Sequence, residues 1–215
     1  MMPPPDPTKL HAWFKARPGS NQIASPFALE GLAWWVSRQA WRHSGSRKFT
    51  VCDVGSGIGA TLACLCWWAG YAEIVSVESD PWCQERAREN LNHLGNAVGV
   101  LYYDKIPAYM SFDFVLLDGP QIQPSDWACL APHATVFVEG GRRDQRRDLR
   151  CYLRSTRRPF CWASWKPLDR SKGFSVYRLH PSVWERIWFA GVRLREWWRD
   201  LWARLHGVAV GKRRG

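Results

Sequence analysis

The chain has 215 residues, 46% of them apolar and 23% charged, with a formal net charge of +11 at pH 7. This is a soluble globular composition with room for one sizeable core plus an appendage. The longest nearly apolar run, Ala60 to Ala72, is too short for a membrane span and suits a buried helix. The charge is lopsided: residues 1–140 carry 10 Lys/Arg against 13 Asp/Glu, whereas residues 141–215 carry 20 against 6. A basic back half suits either an anionic partner or a solvated face, and charge alone does not choose between them.

In chain order, residues 1–24 read as a disordered or loosely packed N-terminus, with four prolines among the first eight residues. Pro26 to Arg42 has helical apolar spacing at Leu29, Leu32, Ala33, Val36 and Ala40. Phe49 to Val54 is a β-rich run that ends in glycines. Ala60 to Gly70 reads as a helix closed by Gly70. Glu73 to Glu78 is a second strand. Ser79 to Gly95 is a helix with Ser79 or Asp80 as cap and Pro81 in its first turn. Three further strands are expected at Ala97–Tyr103, Phe112–Asp118 and Ala134–Gly140, with a weak helix around Ser125–Leu130. A basic helix follows at Arg142–Thr156. The runs 160–168 and 173–180 are joined by a turn short enough to pair them antiparallel.

Alternating strands and helices imply parallel βα units. The expected fold class is α/β: a Rossmann-like, doubly wound seven-stranded sheet. It is mostly parallel with a terminal antiparallel strand pair, plus a C-terminal amphipathic helix. The expected division is the loose segment 1–24, a central domain at 25–180, and a basic Trp-rich helix and tail at 181–215. The seven cysteines form no CxxC pair and read as reduced, mostly buried thiols of a cytoplasmic protein rather than a zinc site. The opening "MMPPPDP" lacks the basic and apolar regions of a secretory signal.

Sheets of this kind bind ligands outside the carboxyl ends of their strands. Here those ends carry Asp53, Glu78, Asp104, Asp118 and Glu139. The stretch "VCDVGSGIGATL", Val51 to Leu62, places Gly55, Gly57 and Gly59 between a strand and a helix, which suits a nucleotide-like ligand. The triphosphate loop GxxxxGK[ST] is absent. The dinucleotide pattern is formally met through Ala60, with Glu78 where a ribose-binding acid belongs. Asp53 weighs against a dinucleotide, whose pyrophosphate rests on the helix N-terminus. A carboxylate there opposes an anion and suits an ammonium. S-adenosylmethionine has an ammonium, a sulfonium and no phosphate.

The ordered set "VCDVGSGIGA", "VSVESD" and "FDFVLLDGP" resembles the class I S-adenosylmethionine-dependent methyltransferases over roughly residues 25–180. The resemblance is closest to members that act on oxygen of small molecules or sugars. It implies S-adenosylmethionine as cofactor, with Asp53, Gly55, Gly57 and Gly59 around its methionine end. Glu78 would hold the ribose, Asp104 would lie near the adenine, and Ser56 and Ser79 complete the cofactor-binding set. Asp118 would face the reacting methyl group as base or orienting group; as a residue it also serves to cap the turn before Pro120. Glu139, Arg142 and Arg143 would contact an anionic acceptor, the other arginines of their helix pairing with aspartates in solvent. Catechol O-methyltransferase and its relatives bind a divalent metal through carboxylates at these turns. This chain lacks the second acid and the adjacent Asn, so a metal is not favoured. The signatures "NPPY" and "DPPY" are absent, which argues against methylation of DNA base amino groups and against a nucleic-acid partner.

The expected function is methyl transfer to an oxygen of a small-molecule or sugar-like, anionic acceptor. The alternative is an inactive methyltransferase-like binding module whose basic C-terminal helix holds a membrane, a protein or an anionic polymer. In that helix Trp184, Ile187, Trp188, Gly191, Leu194, Trp198, Leu201, Trp202 and Leu205 follow i, i+3, i+4 spacing. Such a stripe suits peripheral contact with the inner face of a membrane, packing on its own domain, or a homo-oligomer through residues 183–205. RNA stacking is a further option.

Overall fold

Four central strands bury nearly every side chain, and this sets the architecture. In the computed structural model they are β1 (Thr50–Val54), β2 (Glu73–Val77), β4 (Phe112–Leu117) and β7 (Phe174–Leu179). Strands apolar on both faces need helices on both faces. Those helices are α1 (Pro7–Lys15), α2 (Pro26–His43), α3 (Ala60–Trp68), α4 (Pro81–His93), α5 (Arg143–Ser155) and α6 (Val183–Leu205). With β3 (Val100–Tyr103), β5 (Leu130–Glu139) and β6 (Phe160–Trp165), the seven strands lie in the order β3-β2-β1-β4-β5-β7-β6. Neighbours from β3 to β5 are parallel, and β7 runs antiparallel to both β5 and β6. The described residues are 6–44, 48–95, 99–119, 122–140, 142–167 and 173–205, excepting the side chains of Pro124, Asp200 and residues 202–205.

The core lies on the two faces of this sheet. One face packs Phe14, Leu29, Leu32, Val36, Leu62 and Leu65 against Phe114, Phe137 and Val176. The other packs Trp127, Leu149 and Leu153 against Val115, Val136 and Tyr177. The seven strands and the terminal antiparallel pair are as expected from the sequence, with β6–β7 register running from Phe160 opposite Leu179 to Trp165 opposite Phe174. The turn between them falls largely at residues 168–172, outside the described residues.

Two segments differ from expectation. Residues 6–24 are not loose. Asp6 caps α1 by accepting the Thr8 amide at 2.7 Å, and α1 buries Leu10 and Phe14 against the domain. Only two strong anchors identify that helix, and the prolines before it conceal the signal; residues 1–5 lie outside the described residues. β5 starts at Leu130, four residues before the expected Ala134, because Pro132 and His133 are exposed and interrupt its apolar run. The expected weak helix is a 3-10 turn at Pro124–Cys129.

Candidate active site

The sheet order reverses between β1 and β4, and such a reversal opens a crevice at the carboxyl ends of the strands. The glycine loop fills it, and each glycine has its own reason. Gly55 has φ +82°, and a Cβ there would lie 1.9 Å from the Cα of Gly119, so the β1 and β4 turns touch backbone to backbone. Gly59 has φ +96°, and its missing side chain lets α4 approach, with Leu91 and Ala87 about it. Gly57 has φ +51° and faces open space. Packing explains the first two glycines, and only Gly57 is left bare toward a ligand.

The acids of β1 and β2 gather behind and beside this loop. Asp53 is fully buried, and its Oδ2 accepts the Thr61 hydroxyl at 2.8 Å. Its Oδ1 is buried without a hydrogen-bond partner. Burial pushes its carboxyl up to about 8, opposed by the Thr61 hydrogen bond and reinforced by the charges of Asp118 and Glu78. At pH 7 in the absence of a cation Asp53 therefore carries its proton, so it does not repel pyrophosphate as a standing charge. The argument against a dinucleotide moves to Glu78. Its Oε2 accepts the Gly57 amide at 2.9 Å, and its Oε1 accepts the Asp80 amide at 3.0 Å. The loop amide that a phosphate would take is already turned to a carboxylate. Ser56 meets Ser76 at 2.8 Å between their hydroxyls and is buried, so it ties the loop to β2.

Two neighbouring cavities open from the loop. The larger, about 580 Å³, is lined by Ser56, Gly57, Thr61, Glu78, Asp118 and Arg142 among others. The smaller, about 140 Å³, is lined by Ser79, Asp104, Ile106, Ile122 and Asp126. Gly55 and Glu78 line both, so they stand at the junction. The larger volume is within the usual range for ligand sites, roughly 300–1,000 Å³. Its outer wall is a segment that the sequence reading passed over: Gly19, Asn21, Gln22, Ile23 and Ala24. Gly19 takes φ +84° ahead of a short 3-10 turn, and Ser25 then caps α2 by accepting the Ala28 amide at 3.2 Å. The "PGSN" and "SP" punctuation was the available signal for this ordered turn.

The β4 and β5 ends are organised by arginine. Arg142 donates to the Gly119 carbonyl at 2.6 Å, to Asp118 Oδ1 at 2.8 Å and to the Asp118 carbonyl. Gln145 donates to the same Gly119 carbonyl at 3.0 Å. Arg142 thus clamps the β4 turn while lining the larger cavity. Glu139 is buried at the end of β5, and its charge acts on Arg146, whose guanidinium donates to the Gly140 carbonyl. Arg143 is exposed at the start of α5 and does not line the cavity. Pro120, Gln121 and Gly141 lie outside the described residues. A dication beside Asp118 would have to displace the Arg142 guanidinium, so the residues present do not fit a metal there. Among the described residues, no group of three or more His, Cys, Asp or Glu side chains is arranged around a metal position.

No protein-family model and no curated protein matches the chain. Solved structures do match it in fold. An O-methyltransferase from Bacillus cereus in complex with S-adenosylhomocysteine (SAH) aligns with TM-score 0.60 at 14% identity, covering 81% of this chain and 90% of that one. An SAH-bound methyltransferase from Podospora anserina aligns with TM-score 0.57 at 14% identity, covering 82% and 89%. A precorrin-6y C5,15-methyltransferase from Geobacter metallireducens aligns with TM-score 0.53 at 12% identity, covering 74% and 90%. The chain therefore shares its fold with these methyltransferases. Identity this low carries the fold alone, and the matched proteins differ in the reaction their names describe.

Proposed function

We propose that the chain binds S-adenosylmethionine at the β1–β4 crevice and transfers its methyl group to a small acceptor. One observation supports this most: Glu78 stands where the two cavities meet, with both oxygens held by backbone amides and no salt-bridge partner among the described residues, Lys105 and Arg142 lining the two cavities without pairing to it. Each carboxylate oxygen keeps a lone pair for a ribose hydroxyl. The methionine end would lie in the larger cavity, where Asp53 behind Thr61 meets the ammonium. The adenine would lie in the smaller one, between Ile106 and Ile122 and near Asp104. When bound, the cofactor would supply a methyl group on a good leaving group, so the residues would have to align and desolvate rather than form a covalent bond.

On the acceptor side we place Asp118 and Arg142, with Asn21 and Gln22 opposite. Asp118 orients an acceptor hydroxyl while its charge is held by Arg142, and accepting a proton would break that pair. Oxygen is the acceptor atom that this arrangement suits best, with Arg142 favouring an acceptor that carries negative charge. The acceptor site proposed leaves out Arg143, which is exposed and does not line the larger cavity. The clamp on Asp118 equally suits a binding module without turnover. Methyl-labelled S-adenosylmethionine incubated with hydroxylated, carboxylated and amino compounds separates the readings. Labelled methyl ethers or esters support the proposal, methylation confined to nitrogen removes the oxygen assignment, and cofactor binding without any product supports the module.

A further inference from the structure

α6 turns its apolar stripe away from the domain that carries it. At about 3.6 residues per turn, Glu185, Phe189, Val192 and Glu196 fall on one side of the helix. That side packs inward: Phe189 is 1% exposed and meets Trp35 at 5.7 Å between ring centroids. Trp184, Ile187, Leu194 and Trp198 fall on the opposite side, at 80%, 57%, 56% and 55% exposure. The side chains of Trp202 and Leu205, also in the sequence stripe, lie outside the described residues.

The exposed stripe continues onto α2. Trp188 of α6 stacks on Trp34 at 6.1 Å, and Trp34 and Trp41 of α2 are 48% and 78% exposed. Two surface grooves, of about 470 and 450 Å³, share Trp34 and Arg38 and make the patch continuous. Its apolar area is on the order of several hundred Å², the size at which a patch on a soluble surface is often a contact site. Exposed arginines flank it: Arg38 over the Trp34 ring, Arg186 and Arg193 on one flank of α6, and Arg195 on the other. The acids of these helices whose side chains are described are already engaged. Glu185 pairs with Arg42 and Arg178, Glu196 with Arg199 and Arg195, and Glu30 accepts the Thr8 hydroxyl at the other end of α2.

We infer that the combined α2–α6 face seats the protein on the surface of an anionic lipid bilayer. A tryptophan stripe flanked by arginines matches the boundary between acyl chains and anionic headgroups. A second copy on this face would set arginine against arginine with no free acid among the described side chains to answer it, which opposes association. RNA would neutralise the arginines but leave the aliphatic part of the stripe in water. No helix among the described residues is long and apolar enough to cross a membrane, so the contact is peripheral. The inference stands independently of the proposed cofactor.

Flotation of the full chain with vesicles tests it. Vesicles of phosphatidylcholine alone are compared with vesicles containing about one quarter phosphatidylglycerol. The wild type is expected to float with the anionic vesicles and to partition about tenfold or more weakly to the neutral ones. The triple variant Trp184→Ser, Ile187→Ser, Trp198→Ser and the triple variant Arg186→Glu, Arg193→Glu, Arg195→Glu should each lose about tenfold or more in partition. The melting curve of the tryptophan variant should match the wild type, because its three side chains are exposed; the arginine variant, which also gives up the Arg193–Trp162 and Arg195–Glu196 contacts, is compared at a temperature where it is folded. Trp41→Ser should weaken partition by a smaller factor; if it does not, α2 is not part of the surface. The inference is overturned if the wild type ignores anionic vesicles, or if both triple variants float as well as it does. Single-stranded RNA binding without vesicle binding overturns it too. So does a dimer seen by sedimentation that the tryptophan variant abolishes while vesicles bind nothing.

Discussion

The two halves of the cavity floor differ in what answers their acids. Under β1 and β2, Asp53 takes a hydroxyl and Glu78 takes two amides, and neither has an ion-pair partner among the described residues. Under β4 and β5, Asp118 is paired with Arg142 at 2.8 Å, and Glu139 lies in the field of Arg146. A positively charged ligand gains most in the first half, where Asp53 and Glu78 have no ion pair among the described residues. The second half is already neutralised and serves to hold shape and to meet an acceptor.

The strongest way to break this division is at its seam. Gly55→Ala drives a Cβ into the Gly119 backbone and forces a positive φ on alanine, so it should cost several kcal/mol, on the order of 3 or more, in urea unfolding. Gly57→Ala meets no neighbour and should cost only about 1 kcal/mol, while weakening cofactor binding. Equal losses for the two would remove the assignment of Gly55 to packing and Gly57 to the ligand.

Next in size is the pH response of the cation-free half. The Asp53 carboxyl goes from 3.8 to about 8 on folding. Between those values the folded chain keeps a proton that the unfolded chain has lost, so stability falls as pH rises from about 4 to about 8 and is flat above. Asp53→Asn keeps the acceptor for Thr61 and removes that slope. It should be more stable than wild type at pH 8, by on the order of a few kcal/mol, with the gap closing toward pH 4. Parallel stability–pH curves for the two proteins would contradict the placement of Asp53.

Glu78→Gln tests the ligand side. It keeps one acceptor for the loop and loses the charge, so binding of S-adenosylmethionine should weaken about 10–100-fold with a small change in melting temperature. The smallest effects sharpen the arginine half. Arg142→Met should destabilise by about 1–3 kcal/mol because it removes the ion pair to Asp118 and the hydrogen bonds to the Asp118 and Gly119 carbonyls, leaving the latter to Gln145. Arg143→Ala should stay within about 0.5 kcal/mol of wild type, being exposed.

These contrasts show what the sequence could convey. The strands and the helices α2 to α6 were legible from their apolar runs, from the helical spacing of α2 and α6, and from ends marked by Pro81, Gly70 and Gly95. The acids at the strand ends were legible because strand ends point to one edge. The Asp53 proton was not legible, because burial and the charges of Glu78 and Asp118 come from strands distant in sequence. The Arg142 clamp was hidden for the same reason: the sequence places it after β5, and only the fold brings it onto the β4 turn. The wall at residues 19–24 was missed because a turn without periodicity looks like a linker until α1 and α2 fix its ends. The direction of the α6 stripe could not be read, since spacing defines a face without saying what covers it.

The central claim is that the crevice between β1 and β4 holds S-adenosylmethionine and not a dinucleotide. Calorimetric titration of the full chain at pH 7 with each ligand tests it most directly. The account predicts saturable binding of S-adenosylmethionine at one site per chain and no heat from NADH; saturable binding of NADH with none of S-adenosylmethionine would contradict it.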